Sequence, residues 1–233
     1  MTNVKADRAG KSGVDKSGSA VDEPRRGRGR PQLRSDEETR SIVLEAARAE
    51  FAHSGYAATS MENLARRAGV STKTLYRLFP NKPALFEAMV TERIDRFVSI
   101  VKLRGCEGGD IETALTEALM VCAELMLDGD VIALQRVIVA ESDNFPDIAE
   151  TFYRRAIMRT QDTLSSWLRA EQKRGTIELD DTDAAAGMLL GMLAFQPHRS
   201  VMFGHRPPLS REDRELRAKT CATLFLSGCR RSR

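Results

Sequence analysis

The chain has 233 residues, and its 36 Lys or Arg against 33 Asp or Glu give a formal net charge of +3. With 42% hydrophobic and 30% charged residues it can form a packed core, which excludes a chain that is disordered throughout. The longest uncharged stretch, residues 184–198, is too short for a membrane-spanning helix, and the four cysteines form no CxxC pair. We therefore expect a cytoplasmic protein with reduced thiols.

The positive charge is concentrated at the start of the chain. Residues 1–34 contain nine Lys or Arg and four Asp or Glu, whereas residues 35–90 are balanced at seven of each. This first segment is rich in Gly, Ser and Lys and has almost no large apolar residues. It cannot bury enough surface to offset the entropy of ordering, so we expect a flexible basic arm over residues 1–34.

From Ser35 onward, apolar residues recur at helical spacing. A first helix extends to Phe51 and ends near Gly55, and a second is capped by Thr59 or Ser60. Ser71 can cap a short third helix that Pro80 stops, and Asn81 can cap a long fourth one. Further helices are expected at about 110–127, 130–142, 146–174, 181–203 and 210–228, with no convincing strand alternation. The sequence therefore predicts an all-α fold.

Residues 59–79 form two short helices joined by a Gly-containing turn, which is typical of the helix-turn-helix that presents a recognition helix to DNA. On a helical wheel the second helix places its polar residues within an arc of about 140°, with apolar residues opposite. The polar residues are Thr72, Lys73, Tyr76 and Arg77, and the apolar ones are Leu75, Leu78 and Phe79. Such donors suit phosphates and base edges in a major groove.

Lys82 stands in the first turn of the fourth helix, where a cation opposes the helix dipole. A DNA phosphate held by this ammonium and by the backbone amides of the helix start would reverse that penalty. The alternative is an ordinary solvated lysine.

The string GVSTKTLYRLFPNKPALF, within residues 40–90, resembles the DNA-binding domain of the tetracycline-repressor (TetR) family. The resemblance implies a homodimeric transcription factor, usually a repressor, which a small-molecule effector releases from double-stranded operator DNA. It implies that Thr72, Lys73 and Arg77 contact bases or phosphates and that Thr74, Tyr76 and Lys82 anchor phosphates, and Ser60 is included among the candidate contacts. Glu62 departs from the pattern, since many relatives carry Arg or Lys there.

The run from Arg25 to Pro31 resembles an AT-hook around Arg28 and Arg30. Glycines between arginines let an extended backbone enter a narrow minor groove, where A·T-rich sequence concentrates negative potential. The alternative is a basic tail that binds DNA without sequence preference.

The stretch from Val131 to Ile157 is similar to the C-terminal region of the AefR-like subgroup of the same family. Bulky residues throughout the C-terminal half suit a core or an apolar effector pocket, and Arg136 or Arg155 could meet a polar group there. The sequence does not identify individual ligand contacts. Helices 181–203 and 210–228 are the expected dimer helices, because a surface of small residues allows close approach; these are Ala184, Ala185, Gly187, Gly191 and Ala194. Packing within one protomer is the alternative.

A zinc site would have to combine His198, His205 and Cys221, and these residues lack the tight spacing of zinc ligands. We therefore expect no metal and no cofactor. No catalytic motif stands out, so we expect no enzyme. The sequence predicts a basic arm (1–34), a three-helix helix-turn-helix domain (35–81) and a helical effector-binding and dimerisation domain (82–233). A structural, nucleoid-type DNA-binding dimer without effector control is the alternative function, and a cavity in the C-terminal helices would argue against it.

Overall fold

The computed structural model describes residues 34–104 and 110–229, which form helices and turns and contain no β-strand. The N-terminal helices are α1 (Asp36–Ser54), α2 (Met61–Ala68), α3 (Thr72–Leu78) and α4 (Lys82–Arg104). The remaining helices are α5 (Ile111–Met126), α6 (Gly129–Glu141), α7 (Pro146–Phe152), a π-helical segment (Tyr153–Met158), α8 (Arg159–Lys173), α9 (Thr182–Met202) and α10 (Arg211–Cys229). The predicted all-α fold is confirmed.

Local capping explains where the N-terminal helices begin. The Ser35 hydroxyl accepts from the Glu38 backbone while the Glu38 carboxylate accepts from the Ser35 backbone, which is a complete capping box. Of the two candidates for α2, Ser60 is the cap, whereas the hydroxyl of buried Thr59 donates to the Gly55 carbonyl at 2.6 Å. Ser71 caps α3 as predicted.

The long helix α4 belongs to two hydrophobic cores. Its N-terminal half, including Phe86 and Met89, packs with α1, α2 and α3 and also with residues of α6 and α7. Its C-terminal half, including Phe97 and Val101, packs with α5, α8, α9 and α10. Because Ile138 and Phe152 join the first core, the helix-turn-helix is packed directly against the helices that follow it. The boundary at residue 81 stays a prediction.

Two features interrupt the predicted regular helices. The stretch expected as one helix over 146–174 contains the π-helical turn Tyr153–Met158, a local irregularity that often marks a functional site. Arg155 pairs with Glu87 at 2.6 Å and Arg159 with Asp95 at 2.5 Å, so this segment is held against α4. Pro197 lies inside α9 and has no N–H to donate to the Leu193 carbonyl.

The α10 residue Arg217 compensates for that missing donor. Its Nε donates to the Leu193 carbonyl and its Nη2 donates to the Met192 carbonyl at 2.8 Å. A side chain distant in sequence thus supplies the hydrogen-bond donor that the backbone carbonyl lacks next to the proline, and α9 continues to Met202.

Candidate nucleic-acid interface and ligand cavity

The recognition helix α3 separates its two faces as the helical wheel predicted. Leu75 and Phe79 are buried in the core of the N-terminal helices, whereas Thr72, Lys73 and Tyr76 are exposed. At the N-terminal cap of α3, the hydroxyls of Ser71 and Thr74 make local hydrogen bonds. The Ser71 hydroxyl accepts from the Thr74 backbone N–H and lies 2.8 Å from the Thr74 hydroxyl. Ser60, another candidate DNA contact, likewise accepts from the Asn63 backbone with its hydroxyl.

Arg77 is exposed but already paired. Its two terminal nitrogens each lie 2.7 Å from a carboxylate oxygen of Asp36, at the start of α1. This bidentate geometry fixes the plane of the guanidinium, and the neighbouring carboxylate raises the pKa of Arg77. The pair therefore orients Arg77 at the edge of the exposed face of α3.

Tyr76 and Lys82 have protein contacts that the sequence did not predict. The Tyr76 hydroxyl lies 3.5 Å from Glu62, the residue that departs from the family pattern. The Lys82 ammonium donates to the carbonyls of Tyr56 and Thr59 at 2.7 and 2.9 Å and stands 4.4 Å from the centre of the Tyr56 ring.

Burial lowers the pKa of Lys82. The two carbonyls accept two of the three ammonium protons, which ties Lys82 to the loop between α1 and α2. The phosphate contact of Lys82 stays a prediction. Arg28 and Arg30 of the expected AT-hook lie outside the described residues.

Glu141, the last residue of α6, joins the C-terminal helices to the same loop. Its carboxylate accepts from the backbone N–H of Tyr56 at 3.1 Å and of Ala57 at 2.8 Å. Gly55 precedes these donors with φ 85° and ψ 168°, a combination essentially restricted to glycine. A Cβ at this position would lie 2.6 Å from Glu141 Oε1, so the absence of a side chain lets the carboxylate approach.

A cavity of about 950 Å³ lies among α1, α4, α5, α6, α7, the π-helical segment, α8 and α9. Its lining is mostly apolar. The apolar lining residues include Met89, Ile94, Met126, Leu134, Ile138, Phe152, Tyr153, Leu190, Phe195 and Met202. This volume is at the upper end of the range for sites that hold drug-sized molecules.

The polar part of the lining includes a pair that joins two helices. Gln135 of α6 and His198 of α9 both line the cavity, and Gln135 Oε1 lies within hydrogen-bonding distance of His198 Nε2. Burial lowers the pKa of His198, which favours the neutral imidazole. The two arginines considered as ligand contacts do not line the cavity: Arg136 donates to the Val201 and Met202 carbonyls, and Arg155 pairs with Glu87.

The small residues of α9 expected at a dimer surface fall into two groups. Ala185 and Ala194 are buried inside the protomer, whereas Ala184 and Gly191 are exposed. Gly187 and Gly191 also line the cavity, and a dimer contact at Ala184 and Gly191 stays a prediction. Larger apolar side chains are exposed on α9, just after its end and on α10; they are Met188, Phe195, Phe203, Leu216 and Leu224.

Within residues 34–104 and 110–229, no group of three or more His, Cys, Asp or Glu side chains could hold a metal ion. None of their helices combines the length and apolar character of a membrane span.

Comparison with known proteins gives two family matches. Residues 43–89 match the model of bacterial regulatory proteins of the tetR family, and residues 113–228 match the C-terminal domain of AefR-like transcriptional repressors. The transcriptional repressor ComR of Escherichia coli K12 is 32% identical over 157 residues, which cover 66% of this chain and 72% of ComR.

Two solved structures share the fold over most of this chain. A TetR-family transcriptional regulator from Mesorhizobium loti has a TM-score of 0.72 at 27% identity and covers 85% of this chain and 100% of its own. The flavonoid-responsive regulator FrrA has a TM-score of 0.60 at 28% identity and covers 84% and 100%. The helix-turn-helix, the helical C-terminal region and these matches agree, and the chain belongs to the TetR family of helix-turn-helix transcriptional regulators.

Proposed function

We propose that this protein is a homodimeric repressor that leaves its operator when a small molecule enters the cavity. The observation that carries this proposal is the position of α4. The helix begins at Lys82, four residues after α3 ends at Leu78, and its residues Met89, Val90, Arg93 and Ile94 line the cavity. A ligand that displaces α4 would therefore also displace the recognition helix.

A second route runs through α6. Leu134, Gln135 and Ile138 line the cavity, and Glu141 at the end of the same helix holds the loop between α1 and α2. An effector can shift the DNA-bound and released states only through its differential affinity for them. Two helices that contact both the cavity and the helix-turn-helix provide physical routes for such a difference.

The proposed dimer uses the exposed apolar surface of α9 and α10. Met188, Phe203, Leu216 and Leu224 are between 61 and 77% exposed in the single chain. Large apolar side chains exposed on and next to two neighbouring helices are typical of an interaction surface, and a two-fold dimer is the commonest arrangement of soluble oligomers. Two copies would present two α3 helices, which must match half-sites about 34–36 Å apart on one face of B-DNA.

The relatives support this proposal at two points. ComR is named as a repressor, and FrrA is named as a flavonoid-responsive regulator. The alternative is a structural DNA-binding dimer without effector control. It does not account for a large apolar cavity beside α4, the helix that follows the recognition helix α3.

Selection of bound sequences from a random DNA pool by the full-length protein tests DNA recognition. We expect enrichment of an inverted repeat whose half-sites are one helical turn apart. Enrichment without a motif would favour the structural DNA binder and contradict the proposal. Ligand control is then measured on the selected operator, because a physiological effector and operator DNA must weaken each other's binding by the same factor.

A further inference from the structure

The cations that line the cavity are already paired. Arg93 Nη2 lies 3.5 Å from Asp128 Oδ1, and burial lowers the pKa of Arg93. Arg48 pairs with Glu45 and also lies 3.7 Å from Glu92. A carboxylate ligand would have to compete with these acidic partners, which remain beside the arginines at neutral pH.

The cavity also offers no net charge to an ion. Its charged lining residues are two arginines, Arg48 and Arg93, and two acids, Asp130 and Glu150, so their formal charges cancel. His198 adds none in its neutral form. An ion entering this mostly apolar space would lose its hydration without a dedicated counter-charge.

The cavity wall can, however, donate hydrogen bonds to a ligand through Gln135. Gln135 Oε1 is occupied by His198, and the Gln135 amide nitrogen has no hydrogen-bond partner in the part of the chain that the structure describes. Its two N–H groups can donate to an oxygen of a ligand. The side chain is half-buried on the cavity wall, where an unmade hydrogen bond costs more than on the surface.

We propose that the effector is an uncharged, largely apolar molecule whose oxygen is bound by the Gln135–His198 pair, and that the Arg93–Asp128 pair selects against carboxylates. This inference rests on the proposed function of the cavity. Phe152, Phe195 and Met126 would contact the apolar part, since aromatic rings offer large apolar area and the flexible thioether adapts to varied hydrophobic shapes.

Three probes with the same ten-carbon chain separate the charge classes. 1-Decanol, decanoate and decyltrimethylammonium are titrated into the full-length dimer at pH 7.5, where decanoate is ionised, and binding is measured by calorimetry. We expect decanol to bind at least about tenfold more tightly than either ion, because only the ions must give up a charged hydration shell.

Two substitutions assign the selectivity to the named residues. Asp128→Asn keeps the N-cap of α6 but removes the charge beside Arg93, and should raise the ratio of decanoate to decanol affinity about tenfold. Gln135→Leu should weaken decanol binding about fivefold with little change for decanoate. Gln196→Ala, an exposed position of α9 outside the cavity lining, is the matched control and should change neither value.

Each outcome decides the inference. Decanol preference that responds to Asp128 and Gln135 as stated supports it. Equal binding of the three probes, tighter binding of an ion, or a preference that both variants leave unchanged overturns it, while the cavity remains an effector site. If none of the probes binds a folded protein that still binds its operator, the inference is overturned, whereas the proposed function is decided separately by the effect of ligands on operator affinity.

Discussion

The carboxylate of Glu141 accepts a hydrogen bond from the backbone N–H of Tyr56 at 3.1 Å and a second one, at 2.8 Å, from the next residue. The Lys82 ammonium donates to the carbonyl of the same Tyr56. One residue of the loop between α1 and α2 is thus held by α6 on its N–H and by α4 on its carbonyl. Both of these helices also line the cavity.

The first prediction concerns Glu141. Glu141→Gln should lower the free energy of unfolding by about 1–2 kcal/mol, because the amide has one oxygen to accept two backbone donors. It should also reduce the factor by which an effector weakens operator binding. Denaturant titration and operator binding with and without ligand measure the two effects. Asp143→Asn, an exposed acid two residues away, is the control, and an unchanged coupling factor in Glu141→Gln would exclude α6 as a route.

Gly55 and Gly69 provide a matched pair for the second prediction. Both have positive φ, but a Cβ at Gly69 meets nothing within 4 Å, whereas one at Gly55 meets the Glu141 carboxylate. Gly69→Ala should cost about 1–2 kcal/mol of stability from backbone strain alone. Gly55→Ala should cost more, since its backbone region is nearly closed to alanine and the carboxylate must move. Equal costs in denaturant titrations would show that the contact with Glu141 contributes nothing.

The third prediction concerns the exposed face of α3. Lys73→Ala and Arg77→Ala should each weaken operator binding, by about 1–3 kcal/mol where the side chain reads a base, with little change in thermal stability. Both side chains are exposed, so their loss leaves the core intact. Anisotropy titrations with operator and scrambled DNA measure the effect, and Lys173→Ala on α8 is the control. Normal operator affinity in both variants would remove α3 from recognition.

The basic arm gives a fourth prediction. Removing residues 1–34 should leave a folded dimer with weaker DNA binding. If Arg25, Arg26, Arg28 and Arg30 each neutralise one phosphate, the slope of log affinity against log salt should fall by about 3.6 per subunit. A minor-groove hook further predicts a larger loss on operators with A·T-rich flanks. Equal losses on both flanks would indicate a plain basic tail, and an unchanged slope would show that the arm does not contact DNA.

The fifth prediction tests the dimer surface. Leu216 and Leu224 are 67 and 61% exposed, and replacing both with Glu should raise the dissociation constant of the dimer about 100-fold or more, because the carboxylates would be buried without partners. Sedimentation measures the change, and circular dichroism checks that the helices persist. Ala49→Glu, at an exposed position of α1, adds a charge elsewhere and should leave the dimer intact. A dimer that tolerates both leucine substitutions would place the interface on another surface.

The sequence by itself determined the helices and the helix-turn-helix, because the signals for them act over a few residues. Apolar spacing within a turn or two located the helical stretches, although α7, the π-helical segment and α8 were predicted as one helix. Ser71 and Asn81 cap α3 and α4 as predicted. The split of α3 into a buried and an exposed face followed from the same periodicity. Belonging to the TetR family was likewise readable from one continuous string of residues.

Only the tertiary structure decided which of these side chains meet. Arg77 and Asp36 are 41 residues apart, Gln135 and His198 are 63 apart, and Glu141 and Tyr56 are 85 apart. No local pattern encodes such pairs, because they depend on how whole helices pack. The same holds for the π-helical turn and for the cavity, whose walls come from helices far apart in the chain. Tertiary packing also decided that Ala185 and Ala194 are buried inside the protomer while Ala184 and Gly191 stay exposed, since helix spacing alone does not say which neighbour a small residue will face.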